Sequence, residues 1–418
     1  MLEQAVYARR NHTAILAGVF SLLLSGSAAA AEVARVDLST RMGGLLTAPG
    51  GGAWVTIERG EASAIGRARP DGRFTRTRVE GTPSPGVVGP DGKAWYVTLR
   101  ETMLAQTRQL IRVDGEGAVE PVPVAGVEAL LGTSAEGRLV ATTDALDRFA
   151  LIGADGAVSH APSGRQECDT YFPEPLAVVA ATDGALWLSD GCGRLLRNGA
   201  LVTQFARPAY GLAADPAGGV WLRVLGERSN RTLAHAHPDG TVDFITPRVR
   251  TISDHAVAPD GSVWLALGTC TLARVTPDGV LSTTPAPLPA RQLAFDGTGE
   301  LWLSNRMRLA RGLGGPCDDV APKARVPIRI SLRALKRGIT ARIGEPAALR
   351  VGALVNGSGT SMRRPRVVRA GGSVRYRLPR EQLRQLERAK RPRLTVLVDV
   401  EDRDGNAEEQ EFRVVVRR

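Results

Sequence analysis

The chain has 418 residues, 43% hydrophobic and 23% charged, which is too long for one compact domain and too apolar for a disordered one. Its formal charge of +11 is unevenly placed: 24 Lys and Arg stand against 10 Asp and Glu from Pro322 onward, and 30 against 33 before it, so two domains with different surfaces are expected. Aromatic residues make up only 5% and are not interleaved with the basic ones, which argues against a nucleic-acid-binding protein.

Residues 1–31 read as an export signal. Arg9 and Arg10 give a positive start, Thr13 to Leu24 an apolar run too short for stop-transfer, and Ala28 to Ala31 small residues suited to cleavage. Asn-His-Thr after Arg9-Arg10 is a poor twin-arginine match, and no Cys stands at the cleavage point to carry lipid. No later run is long enough to span a membrane. A secreted or envelope-associated monomer is therefore expected, with no transmembrane segment once the signal is removed.

From residue 32 to 315 an internal repeat sets the fold. PDGKAW (Pro90 to Trp95), TDGALW (Thr182 to Trp187), PAGGVW (Pro216 to Trp221), PDGSVW (Pro259 to Trp264) and GTGELW (Gly297 to Trp302) are copies of one string. With Trp54 and the substituted Val140 they make seven units at a spacing of about 40 residues, which is propeller spacing. Each unit reads as a short apolar strand, an Asp-Gly type turn, a strand carrying the Trp, and a second hairpin. Four antiparallel strands make one blade, with the Trp as a packing wedge. The last unit lacks a strand after Arg308 to Leu313, and Glu32 to Leu38 can supply it, closing the ring without a free edge. The expected fold is an all-β, seven-bladed β-propeller, with six blades as the alternative because the Val140 unit is degenerate.

Two insertions interrupt the repeat, Ser163 to Pro175 and Leu225 to Thr232. Tyr171 and Phe172 in the first are candidate ligand-binding aromatics. Four Cys without a CxxC pair in an exported chain point to disulfides rather than zinc. Cys168–Cys192 would tie the first insertion to the neighbouring hairpin, and Cys270–Cys317 would fasten the propeller's exit.

Residues 316–327 read as a linker, and residues 328–418 as a small basic β-sandwich of immunoglobulin-like outline. Its strand-like runs are Val326 to Leu332, Ala347 to Val355, Ser373 to Leu378, Leu394 to Asp402 and Glu411 to Arg417. Pro379 to Arg391 reads as an amphipathic helix with Leu383 and Leu386 on one face. The order of these elements resembles a C-terminal module of exported proteins of high-GC Gram-positive bacteria, which implies a spacer or adhesive role. Its arginine-rich surface offers a contact for anionic cell-wall polymer.

The PDG…W grammar resembles the virginiamycin B lyase (streptogramin lyase) family over Glu32 to Leu313, and NHL-type propellers more loosely. The resemblance implies a seven-bladed ring. It also implies an elimination at the channel mouth that uses Mg2+ with His and Glu. Alignment on the Trp places Asp254, His255 and Gln292 where first strands begin, and Asp190 and Asn305 where second strands end. The family tends to write that second position as Trp-Phe-Thr-Glu. The Glu is absent here from every unit, and WLSD ending at Asp190 comes nearest. In a lyase, Asp190 and Asp254 would hold Mg2+ and His255 would act as the base. His235 and His237, two apart on a third strand, form a metal-like pair towards the rim. The expected function is a non-catalytic module that binds a ligand or envelope component at the channel mouth through Asp190, Tyr171, Phe172, Gln292 and Asn305, without a cofactor. The alternative is a Mg2+-dependent, streptogramin B-type carbon–oxygen lyase with His255 and Asp254 as catalytic residues.

Overall fold

The computed structural model describes residues 30–37, 40–59, 62–101, 106–143, 148–162, 177–224, 232–246, 251–359, 362, 366–390 and 392–417. Structural statements below concern these residues. The expected signal up to residue 29, most of both insertions, and Cys168, Tyr171 and Phe172 lie outside them.

The local cause of the repeat is the turn. The carboxylate of Asp91 accepts from the Lys93 amide at 3.2 Å, that of Asp183 from Ala185 at 2.9 Å, and that of Asp260 from Ser262 at 3.0 Å. Each such bond substitutes for a ladder bond at the reversal and sends the chain back as the strand that carries the Trp. The indoles of Trp54, Trp95, Trp187, Trp221, Trp264 and Trp302 are all buried.

Seven sheets result. Blade 1 holds Arg41–Thr47, Ala53–Arg59, Ala62–Ala68 and Phe74–Val79. Blade 2 has Ala94–Glu101, Gln106–Val113 and Val119–Val122, with an inner strand broken into Thr82–Pro83 and Val87–Val88. Blade 3 (Val127–Thr133, Leu139–Thr143, Arg148–Ile152, Val158–Pro162) is complete although it lacks the Trp. Val140 takes the indole's place in a small cluster with Phe149, Val178 and Leu188, and the seven-bladed reading holds over six. Blade 4 runs from Ala177–Ala180 to Ala200–Gln204, blade 5 from Ala209–Ala214 to Val242–Ile245, and blade 6 from Asp254–Val257 to Leu281–Pro285. In blade 7, Gln292–Phe295, Leu301–Ser304 and Arg308–Arg311 are joined by Ala31–Arg35 from the other end of the chain, with Ala31 opposite Arg311 and Arg35 opposite Arg308. The innermost strands pack one against the next from blade 1 round to blade 7 and back. A ring closed by strands from both ends leaves no sheet edge at the seam.

Beyond the propeller, two sheets and two helices share one apolar core. One sheet pairs Ala324–Arg325, Ile339–Ile343 and Ser373–Tyr376; the other is built on Ala347–Val355, Leu394–Asp402 and Ala407–Arg417. Arg329–Ser331 runs parallel to Ala407–Arg417, and helices occupy Leu332–Arg337 and Arg380–Arg388. The parallel pair and the helices depart from the purely antiparallel plan of an immunoglobulin domain. Ala324 and Arg325, in the expected linker, pair with Ile343 and Arg342 of the module. The Cys270–Cys317 disulfide is present, fastening blade 6 to the exit segment. Cys192 is also disulfide-bonded; its expected partner, Cys168, is not among the described residues. Within those residues no helix is long and apolar enough to cross a membrane.

Candidate functional site at the channel mouth

His255 and Asp254 open the inner strand of blade 6, His255 turned to blade 5 and Asp254 reaching both blade 5 and blade 7. His255 is 6% exposed, its Nε2 is 3.3 Å from the Trp221 carbonyl oxygen, and its Nδ1 has no hydrogen-bond partner. Nε2 is thus the nitrogen that carries the proton, and Nδ1 keeps a lone pair. Burial, aided by the Arg223 guanidinium, pushes the imidazole pKa down to about 3, so the ring is neutral at physiological pH. Arg223 donates to the Ser253 carbonyl and lies 3.8 Å from Asp254 Oδ1. Asp254 Oδ2 accepts from the Leu293 amide of blade 7 at 3.2 Å, and burial pushes its pKa up against the pull of Arg223. Gly211 has φ +65°, and a Cβ there would lie 3.2 Å from both the His255 ring and Arg223, so the glycine leaves room for this cluster. Arg223 had a sequence signal that alignment on the strand ends passed over. One residue before the second-strand terminus, the series Thr56, Val97, Thr142, Ser189, Arg223, Ala266, Ser304 contains a single charge.

Asp190, expected to face a ligand, is instead spent on its own turn. Its Oδ1 accepts from the amides of Cys192 at 3.0 Å and Arg194 at 2.9 Å, and its Oδ2 takes Arg194 Nε at 2.7 Å. The reason is spacing: a residue that closes the second strand of blade 4 also begins the turn into the third, where an Asp caps free amides.

Gln292 bridges blades rather than standing free. Its Oε1 accepts from the Leu45 amide of blade 1 at 3.3 Å and from Ser304 Oγ at 3.1 Å. Asn305 departs furthest from a ligand role. It is buried, its Oδ1 accepts from the amides of Met307 and Arg308, both at 2.8 Å, and its Nδ2 donates to the Asp404 carbonyl at 2.8 Å. The tip of the C-terminal hairpin therefore sits on the mouth side of blade 7. Gly405 lies so close to Asn305 that a Cβ would be 2.7 Å from Oδ1. Around that contact Asp404 Oδ1 lies 3.2 Å from Arg308 and 3.3 Å from Arg35, and Glu401 Oε2 lies 3.1 Å from Arg41.

His235 and His237 lie side by side, ring centroids 4.1 Å apart, and each turns a nitrogen to a carboxylate. In blades 1, 2, 4 and 6 the residue opposite the Trp is an Arg (Arg67, Arg112, Arg197, Arg274) whose guanidinium lies over the indole at 4.3 to 5.8 Å. His235 holds this position in blade 5, stacked on Trp221 at 4.1 Å, with Nε2 2.6 Å from Asp215 Oδ2. His237 pairs separately with Asp243 at 2.9 Å.

Mg2+ needs carboxylate oxygens free of competing cations. Both oxygens of Asp190 are committed to Arg194 and turn amides, and Asp254 is shared between Arg223 and Leu293. Among the described residues no three His, Cys, Asp or Glu converge in a metal-holding group. The donor set does not fit the ion.

No protein-family model matches the chain. Over 144 residues it is 34% identical to the virginiamycin B lyase of Nocardia farcinica, covering 32% of this chain and 50% of that one. The chain thus spans about half the length of the curated relative it matches. Among solved structures the fold is similar to a streptogramin B lyase, with TM-score 0.52 and 16% identity over 68% of this chain and 97% of that one. It is also similar to a catalytically inactive virginiamycin B lyase from Staphylococcus aureus with quinupristin, with TM-score 0.51 and 17% identity over 68% and 99%. At such identities the structural likeness shows a shared propeller fold.

Proposed function

We propose that this virginiamycin B lyase-like propeller is an exported binding module that holds a ligand or envelope component at its channel mouth and does not catalyse. One observation carries the reading: the ionisable groups expected to react there are occupied by the fold. Asp190 is tied to Arg194, Asp254 to Leu293 and Arg223, and His255 is buried with a pKa of about 3. So weak a base accepts a proton poorly near neutral pH. Elimination across an ester needs a base, a stabiliser of the leaving oxygen and a held cation together.

The second reading, a carbon–oxygen lyase, is favoured by the 34% identity to a named lyase and by the unpartnered Nδ1 of His255. The deciding experiment is mass spectrometry of a streptogramin B-type antibiotic after incubation with the purified protein, with and without Mg2+. Intact antibiotic is expected. Metal-dependent linearised product, abolished in His255→Ala, would overturn the binding reading and install the lyase.

A further inference from the structure

Between the propeller's seam and the sheet of the C-terminal module lies a cleft of about 240 Å3. Arg41, Arg291 and Arg306 line its propeller wall, and Arg350, Asp399 and Glu401 its module wall. The charges are not matched one to one. Arg41 and Arg306 both turn to Glu401, at 3.1 and 3.7 Å. Arg350 takes Asp399 at 3.4 Å. Glu408 and Glu409 are exposed at the rim, Glu408 on Lys323. Among the described residues the Arg291 side chain has neither a carboxylate within ion-pair distance nor a hydrogen bond. Two half-buried guanidinium groups thus share one carboxylate, and a third, that of Arg291, stands beside them without one.

That arrangement is costly unless something else enters. Burial and the neighbouring charges of Arg306 and Arg41 push the Arg291 pKa down, with Glu401 alone opposing them. A guanidinium without an internal partner, on a propeller wall whose charged lining residues are all arginines, matches a bidentate oxyanion. Glu401 is 7% exposed and already faces Arg41 and Arg306, so its charge is not free to neutralise Arg291 as well. The cleft is also roomier than a bare tetrahedral anion needs.

We propose that this junction is a phosphate-ester site, with Arg291 as its principal ligand, flanked by Arg41 and Arg306. The phosphate can come from a small ester or from an anionic polymer of the envelope. The site draws on both domains, so neither wall holds the ester alone. The proposal supplies a ligand chemistry for the envelope-binding reading but does not depend on the fate of the His255 centre. The ring-opening assay and the phosphate assay fail independently.

The test is calorimetric titration and thermal melting of the full chain in phosphate-free buffer. The probes are inorganic phosphate, glycerol 3-phosphate and a poly(glycerol phosphate) chain, each against chloride at matched ionic strength. Binding of glycerol 3-phosphate, tighter than inorganic phosphate, with a raised melting temperature is expected. Arg291→Ala should weaken it at least tenfold while the unliganded protein melts no lower than wild type, because the removed group has no partner. Arg384→Ala, exposed on the Arg380–Arg388 helix, should bind as wild type does. Retention of the small ester with no gain from the polymer assigns the site to free esters; polymer binding lost in Arg291→Ala assigns it to the envelope polymer. No response beyond the chloride control, or an unchanged response in Arg291→Ala, overturns the proposal.

Discussion

Asp190 and Arg194 sit four residues apart across a turn that excludes water from both, their side chains 3% and 12% exposed. A carboxylate so placed is stabilised by its partner and expensive without it. Arg194→Ala should therefore cost about 3–5 kcal/mol in denaturant unfolding, the range for breaking a buried pair. Unchanged stability would mean that Asp190 is free for another role. His255 makes a second residue-scale test. Its folded pKa of about 3 lies well below the unfolded value of about 6.5, so protons bind the unfolded chain first. Its contribution is intact above pH 6.5 and is lost as pH falls towards 3, by up to about 1.4 kcal/mol per pH unit. Asp254, whose folded pKa is raised, works in the opposite sense, favouring the fold at low pH and losing that contribution as pH rises through its folded value. Urea unfolding at pH 7, 5.5 and 4.5 should show an acid limb that His255→Gln removes. Both residues were visible in the sequence as ring positions; what each one bonds to was not. Arg194 lies four residues from Asp190 and reads as an ordinary strand residue until the turn folds.

The blade was the most legible element. Turn, Trp and spacing are all local, the spacing recurring seven times and the Trp six, so the pattern corrects for any one copy, even the one with Val140. The seam was legible for the same reason: a missing fourth strand at one end matched a spare strand at the other. Removal of Ala31–Arg35 should lower the melting temperature of the whole ring in one cooperative step, since blade 7 would be left with an open edge. A variant melting as wild type does would contradict closure by this strand. The Cys270–Cys317 bridge spans 47 residues, and loop-closure entropy assigns about 4 kcal/mol to a loop of that length. The Cys270→Ser, Cys317→Ser double variant should lose stability of that order in equilibrium unfolding. The C-terminal module was less legible. The apolar run ending at Leu332 reads as one strand, yet Ser331 accepts the Ala334 amide at 3.2 Å and starts a helix at Leu332. One capping hydroxyl outweighs the strand character of what precedes it.

At the scale of the molecule, two domains meet on a few charges. Arg308, 9% exposed in its side chain, touches Glu32 of the closing strand at 2.7 Å and Asp404 of the module at 3.2 Å. One guanidinium thereby joins the first strand, the last blade and the C-terminal hairpin. Asp404→Ala should raise hydrogen exchange in residues 31–35 and 401–406 together, whereas an effect confined to the hairpin would separate seam from module. None of this docking was readable beforehand. Asp402 to Asn406 carries the composition of any tight turn, and nothing local states which distant arginines it will meet. Across the ring, the ionisable groups at the mouth, Asp190, Asp254 and His255, are held by the fold itself. The protonation of His255 tests this most directly, followed by histidine-resolved NMR of the full chain from pH 8 to pH 4.5, with and without Mg2+. A neutral imidazole throughout, indifferent to Mg2+, is expected from its burial. A titration midpoint near neutrality that moves when Mg2+ is added would place a working base at the mouth and contradict that claim.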